Sequence, residues 1–416
     1  MIGILLLQAV LALAALGPAS PPPSTAAADS LVASWVEAER VPGAVLLVVR
    51  DGDVVLEKAY GWAKLFEYDE GEYGASAAGE SRPHALKRLD NPVPMTTGTA
   101  FDLASVTKVM ATTYALMLLA DRGALDVDAP VYAYLPDFRG SGKDAITIRH
   151  LLTHRAGLEE WMPTFYHASD RDGAYAYVRD LPLRWPVGEG RHYSDLGFMV
   201  LGRVVEQVTH GRLDEFLHDE LYGPLGLEHT GFRPKGSPAG TFAATSHGNP
   251  YEHRMVHDST FGYDVPGDPN AWNGWRHYTL EGEVNDGNAW YGFGGVAGHA
   301  GLFSTARDLS VLLRLLLNKG EWEGRRFLRA ETVDAFMTPV VPGQALGWQA
   351  PDYAPPGSFA HTGFTGTYVL GVPSQGLGVV LLINRQNVGV DARGLYPNLG
   401  PLQRAVATSL LGPAGG

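Results

Sequence analysis

The sequence has no cysteine, which excludes disulfides, thiolate metal sites and a cysteine nucleophile together, and leaves the redox compartment unmarked. Basic residues are scarce: 32 Lys and Arg stand against 45 Asp and Glu, for a formal net charge of −13. A phosphate backbone is gripped by clustered Lys and Arg, and no basic run occurs, so general binding of nucleic acid is excluded. Charge of either sign is limited to 19% of residues, while 45% are hydrophobic and 10% aromatic. That is the composition of a folded globular protein and not of a disordered or fibrous one. Long apolar runs are missing except for Ile2 to Leu16, which is short for a membrane span and is followed by the small, Pro-rich stretch Gly17 to Ala28. It reads as a secretory signal over residues 1–28, with cleavage after Ala19 or Ala28, although no Lys or Arg precedes it. The expected location is therefore periplasmic or extracellular, with membrane association only through an uncleaved N-terminus.

A chain of 416 residues exceeds the usual size of one core, so two lobes are expected. Ala44 to Val49, the turn Asp51-Gly52 and Val54 to Ala59 predict a β-hairpin. Lys64 to Asp90 loses periodicity and carries the acidic cluster Glu67 to Glu72, the pattern of a solvated loop. Ser105 to Ala120 is apolar on nearly every side, with Asp102 placed to cap it and Gly123 to end it, which predicts a buried central helix. Gly197 to Val208, Leu213 to Leu221 and Asp308 to Leu317 have helical spacing. Leu346 to Trp348, Gly366 to Val372 and Gly376 to Asn384 read as strands, and Leu402 to Leu411 as a closing helix. The β segments sit at both ends, which predicts an α+β catalytic domain over about residues 29–411: an antiparallel sheet from residues 41–100 and 341–411 and a helical lobe from residues 101–340. A cleft between such lobes is a usual place for a site.

One spacing in the sequence suits covalent chemistry. In Ser105-Val106-Thr107-Lys108 a helical step of three sets hydroxyl and amine on one face, where the amine can take the hydroxyl proton. A free lysine amine is protonated at neutral pH, so it must be desolvated or flanked by positive potential to serve as a base. This is the only Ser-x-x-Lys in the chain, and no serine lies in Gly-x-Ser-x-Gly. Downstream follow Arg191-His192-Tyr193-Ser194-Asp195, before a helical segment, and His361-Thr362-Gly363-Phe364-Thr365-Gly366-Thr367, which opens a predicted strand where small residues would let a substrate lie against the edge.

In that order, Ser105-Val106-Thr107-Lys108, Tyr193-Ser194-Asp195 and His361-Thr362-Gly363 resemble the three motifs of the serine β-lactamase and penicillin-recognising superfamily, from about Val41 to the C-terminus. Leu151 to Gly157 and Gly294 to Ser304 narrow the likeness to the class C branch of β-lactamases, D,D-peptidases and related esterases, and most closely to penicillin-binding proteins of type 4B. The resemblance implies a β-lactamase/D,D-peptidase-like fold with the site between sheet and helical lobe. It implies that Ser105 is acylated, that Lys108 and Tyr193 share the proton transfers, and that the backbone N–H groups of Ser105 and Phe364 hold the oxyanion, with Asp195, His361, Thr362 and Gly363 contacting substrate. Asp195 stands where Asn is common and His361 where Lys is usual. Both changes weaken recognition of a substrate carboxylate, and activity that rises as His361 protonates is one expected consequence. The implied reaction is D,D-carboxypeptidase action on peptidoglycan stem peptides, with β-lactams as acylating ligands. A small-ester hydrolase and a non-catalytic binding protein are the alternatives.

Other features have plainer readings. His150 and His154 are spaced i, i+4 but lack the Glu of a zinc motif, so capping and packing are expected and no metal or other cofactor is implied. His299 either lines the cleft or supports backbone. Trp272, Trp275, Trp290 and Tyr291 form a substrate wall or simply pack long loops, and Glu159 and Glu160 read as solvated charge.

Overall fold

The computed structural model describes residues 24–69, 86–234 and 241–412. The apolar N-terminal run lies outside them, as do residues 70–85, which include Glu70 and Glu72 of the acidic cluster. Among the described residues no helix is long and apolar enough to cross a membrane.

The strands Gly43–Arg50 and Leu377–Ile383 are apolar at almost every position because both of their faces are covered. They pair antiparallel at the centre of a six-stranded sheet. Asp53–Tyr68 and Leu86–Pro94 extend it on one side, Thr367–Val372 and Phe359–Thr362 on the other. The two ends of the chain thus join in one antiparallel sheet. Asp51 and Gly52 both take positive φ, 49° and 90°, which matches the turn that twists two strands into a tight hairpin. On one face Leu46, Val48, Val379 and Leu381 bury against Ala28 and Val32 of helix Ala26–Glu37 and Leu402 and Val406 of helix Gly400–Leu410. On the other, Leu47, Val49, Val380 and Leu382 meet Leu309, Leu312 and Leu316 of helix Ala306–Leu317 in a core that continues into the helical region. Ala28 is fully buried in its helix, so a cut after Ala28 would remove part of this packing whereas one after Ala19 would not.

Three sequence expectations change. Lys64 to Asp90 is not all loop: the hairpin strand runs on to Tyr68 and its partner starts at Leu86, and two bulges between Trp62 and Phe66 erase the alternation that would have marked them. Leu346 to Trp348 is irregular; Trp348 is apolar because it is fully buried against Phe359. The central helix is composite, a 3₁₀ turn Ala104–Val106, a π-helical stretch Lys108–Thr113 and an α-helix Tyr114–Asp121. Uniform burial hides such changes of winding from any periodicity.

Candidate active site

The segment bearing Ser105 is anchored on both sides. Phe101–Asp102 pairs with Leu302–Ser304, and the buried Asp102 carboxylate accepts the N–H of Ala104 at 2.8 Å and of Asn285 at 2.6 Å. Ala104 takes a φ of 45°, unusual for a residue with a Cβ, and this turn delivers Ser105 to the cleft. From the sheet, Thr365 Oγ1 donates to the Asp102 carbonyl at 2.7 Å and Thr367 Oγ1 to the Leu103 carbonyl at 2.9 Å. A Cβ on Gly363 would stand 2.4 Å from the Leu103 carbonyl oxygen. The glycine of the third motif therefore lets the turn bearing Ser105 approach the sheet, a need for smallness that the expected approach of a substrate did not include.

Lys108 is fully buried. Its Nζ lies 3.0 Å from Ser105 Oγ, 3.1 Å from the His299 carbonyl and 2.6 Å from an Asp195 carboxylate oxygen. An ammonium has three donors; here it donates to Ser105 Oγ and the His299 carbonyl, and the Asp195 carboxylate stands beside it as an ion-pair partner. Burial alone pulls the amine's pKa down, but the Asp195 carboxylate and Tyr193 outweigh it and hold the group above its ordinary range. The expected depression of Lys108 is thus reversed by a residue brought in from a distant helix. The Gly298-His299 turn reaches Lys108 because Gly298 lies against helix Asp195–Thr209, where a Cβ would stand 2.0 Å from the Phe198 carbonyl.

Tyr193 and Asp195 flank Ser194, whose Oγ accepts the Gly197 N–H at 3.2 Å and caps that helix. The Tyr193 hydroxyl interacts with both Ser105 and Lys108, and the Lys108 amine lies 5.1 Å from the centre of its ring. Burial raises its pKa and the lysine only partly offsets this, so the resting group is a phenol. His154 fixes this tyrosine through its neighbours: its carbonyl accepts the His192 N–H at 2.8 Å, its Nδ1 accepts the Ser194 N–H at 3.0 Å, and its ring lies 4.4 Å from the Tyr193 ring. Because Nδ1 accepts, the neutral tautomer carries its proton on Nε2. Burial and the Lys108 charge keep His154 neutral. His154→Ala is expected to lower kcat by up to about 10²-fold, the usual penalty of a small misplacement, with little change in KM. His154→Asn, which retains an acceptor for Ser194, should recover part of the loss. Steady-state rates on a nitrophenyl ester decide it, and equal losses in both variants would disprove the positioning role. His150 is separate: it forms a capping box with Thr147 on helix Ile148–Leu152.

His361 lies in the edge strand Phe359–Thr362, one strand earlier than expected, and the segment from Thr362 to Thr367 turns into the strand Thr367–Val372. It is 1% exposed, and burial followed by the Lys108 charge pushes its pKa down to about 3. It is therefore neutral throughout the physiological range, and the expected rise of activity with its protonation is overturned. His361 Nδ1 is 2.9 Å from the Thr362 carbonyl, so that nitrogen donates.

Ser105, Tyr193, Asp195 and Phe364 open onto a cavity of about 320 Å³, whereas His361, Thr362 and Gly363 do not line it. The N–H groups of Ser105 and Phe364 have no acceptor among the described residues. Arg385 Nε donates to the Phe364 carbonyl at 2.8 Å from behind the turn. The cavity also presents Glu160, Trp161, Tyr251, Glu252, Tyr263 and Asp286, and among the described residues no Lys or Arg lines it. Glu160 is thus a wall of the cleft and not simply solvated charge, while Glu159 pairs with Arg184. Glu252 accepts the Gly287 N–H at 2.8 Å, and Asp286 lies 2.9 Å from His299 Nε2. Burial and the Asp286 charge push Glu252 up; burial also pushes Asp286 up, but His299 outweighs it and holds that carboxyl low. The pair therefore presents one carboxylic acid and one carboxylate. His299 does not line the cavity, and in place of either anticipated role its carbonyl accepts from Lys108 Nζ and its ring meets Asp286. Trp272 and Tyr291 pack with Trp161, Phe165 and Trp275 in a small core beneath the wall, as loop packing requires.

The Beta-lactamase family profile matches residues 28–400. The chain belongs to the beta-lactamase family. This family member is 37% identical over 386 residues to a Bacillus subtilis protein named N-acetylmuramyl-L-alanine amidase, spanning 86% of this chain and 80% of the relative. It is 33% identical over 386 residues to a Salmonella agona protein named, provisionally, D-alanyl-D-alanine carboxypeptidase, spanning 86% and 82%. In structure it is similar to a penicillin-binding protein homologue from Caulobacter crescentus (TM-score 0.66, 20% identity, 92% of this chain and 96% of that one). A family VIII carboxylesterase has a TM-score of 0.63 at 19% identity, with 92% and 97% covered. These two likenesses establish the α+β fold of the beta-lactamase family.

Proposed function

We propose that this chain is an exported serine hydrolase that opens an amide bond of peptidoglycan-derived substrates through an acyl-enzyme on Ser105. The observation that carries the reading is the buried Lys108 amine 3.0 Å from Ser105 Oγ, with Asp195 2.6 Å away on its other side. In acylation Ser105 Oγ attacks the carbonyl carbon. Its proton passes to Lys108 as Lys108 yields one to Asp195, and Tyr193 bridges the hydroxyl and the amine. The tetrahedral oxyanion accepts the N–H groups of Ser105 and Phe364. The C–N bond breaks as the leaving nitrogen takes a proton from the network, and water then cleaves the ester, releasing the acid and restoring the Ser105 hydroxyl.

The amide favoured as substrate is that between a muramyl lactyl group and L-alanine. In a stem peptide the L-alanine carboxyl is itself tied up in the next amide, so no carboxylate stands next to the scissile bond, which suits a cavity lined by acids, and the 37%-identical relative bears the name of that activity. The 33%-identical relative favours a second reading, cleavage of a terminal D-Ala-D-Ala. That substrate would bring a carboxylate next to Asp195 with no lining cation to receive it. Intact-mass analysis after treatment with a fluorophosphonate and with penicillin tests the nucleophile, and release of a peptide with a free L-alanine N-terminus against release of D-alanine separates the substrates. A chain that forms no adduct with either reagent is not this enzyme.

Asp195→Asn provides a signed test of the proton path. The Asp195 charge helps hold Lys108 up, so its loss lowers the pKa of the amine. The ascending limb of kcat/KM against pH is then expected to move to lower pH. A limb that stays in place would exclude Lys108 as the group that must lose a proton.

A further inference from the structure

The cavity beside Ser105 differs from a site for a charged peptide in what its walls can do. One wall is aromatic: Trp161 and Tyr263 lie 5.6 Å apart at 38°, and Phe364, 37% exposed, meets Tyr251 edge-on at 4.9 Å. Between these rings stand groups that accept and donate hydrogen bonds at separate points. Glu160 touches only Tyr263 Oη, at 3.4 Å, and has no ion-pair partner among the described residues. The Glu252 and Asp286 pair offers a carboxylic O–H beside a carboxylate. These acids do not converge: among the described residues no three such side chains are grouped to hold a metal ion. A compact cation wants convergent acceptors, and an anion wants a cationic side chain, of which none lines the cavity among the described residues. A rigid ring with several hydroxyls, apolar C–H faces and no charge uses dispersed acceptors, a donor and flat aromatic surface at once.

We infer that this cavity is a sugar subsite, which seats the pyranose ring of a muramyl acyl group against Trp161, Tyr263 and Phe364 while Glu160 and the Glu252–Asp286 pair take its hydroxyl and amide groups. The inference deepens the reading of the chain as an amidase, and it assigns the acyl side of the substrate to the sugar and the leaving side to the peptide. Binding energy from a ring that does not react then serves to hold the lactyl carbonyl over Ser105, so truncating the sugar lowers kcat as well as affinity.

The test compares N-acetylmuramyl-L-alaninamide with D-lactyl-L-alaninamide, which keeps the scissile amide, lacks the ring and, like the first, carries no carboxylate beside the bond. The intact enzyme is expected to favour the first by at least about 10²-fold in kcat/KM. Glu160→Gln and Phe364→Ala are each expected to shrink that ratio by about tenfold. In parallel, calorimetry on Ser105→Ala measures binding of N-acetylmuramic acid amide and of lactamide, with no turnover needed. Selective binding of the muramyl amide supports the subsite, and no binding, or equal binding of the two, overturns it. Preference for a peptide ending in D-Ala-D-Ala, or an unchanged ratio in both variants, also overturns it. Fluorophosphonate labelling of Ser105 in the wild-type chain reports on the nucleophile alone, so a failed subsite is distinguishable from a failed hydrolase.

Discussion

Ser105→Ala is expected to lower kcat by about 10⁵- to 10⁶-fold, the scale seen when the nucleophile of an acyl-transfer site is removed. What remains would be the modest rate that substrate binding and the two backbone donors supply without a covalent intermediate. The loss should be chemical, not structural. Ser105 Oγ accepts one hydrogen bond, from Lys108, and that ammonium keeps the His299 carbonyl and Asp195 when the hydroxyl goes. Stability measured by urea unfolding should therefore change by less than about 1.5 kcal/mol, the net worth of one hydrogen bond. Intact mass gives the sharper check, since the adduct with a fluorophosphonate must vanish. Persistence of the adduct, or a loss of activity matched by a large loss of stability, would place the nucleophile elsewhere.

The reactive pair was legible because its geometry is local. A step of three residues survives the change from 3₁₀ to π winding, and Ser105 and Lys108 still meet at 3.0 Å. The central strands were legible as well, since full burial on two faces leaves an unbroken apolar run. Order along the chain brought Tyr193 and Asp195 together with Lys108, as the structure does, but the state of Lys108 was not legible. That state depends on a carboxylate delivered by another helix, and no window of sequence contains both. His361 was misjudged for the same reason: a histidine in a motif carries no sign of being 1% exposed beside a buried ammonium. Glu160, Glu252 and Asp286 were missed as a wall because they come from three separate loops or short helices without periodicity. Their one sequence signal is acid set among aromatics, as in Glu160-Trp161 and Tyr251-Glu252.

The two departures from the family pattern act together. With a neutral histidine at 361 the third motif brings no cation, and with a carboxylate at 195 the lysine is held as an ammonium. A carboxylate-bearing substrate loses on both counts, whereas an uncharged acyl group loses on neither. The acids across the cavity follow the same logic, because they would repel an anion that Lys108, already surrounded by acceptors, is not free to neutralise.

Lys108→Met separates catalysis from stability within that arrangement. Removing the amine is expected to lower kcat by about 10²- to 10⁴-fold, the range of a positioned general base. It also leaves the Asp195 carboxylate without its partner beside a closed interior. Breaking a buried pair from one side costs about 3–5 kcal/mol; the Asp195 side chain keeps 19% exposure, which lets water relieve part of this and sets the expectation at the lower end. The double variant Lys108→Met with Asp195→Asn removes both charges, and most of the lost stability should return because no uncompensated carboxylate remains. Activity should not return with it. Unfolding in urea and single-turnover acylation, run on the wild type, both single variants and the double, complete the cycle. Recovery of stability without acylation identifies Lys108 as the proton-transfer group. Recovery of acylation in the double variant would show that Asp195, once freed of its partner, had only been blocking the site and that Tyr193 suffices as the base.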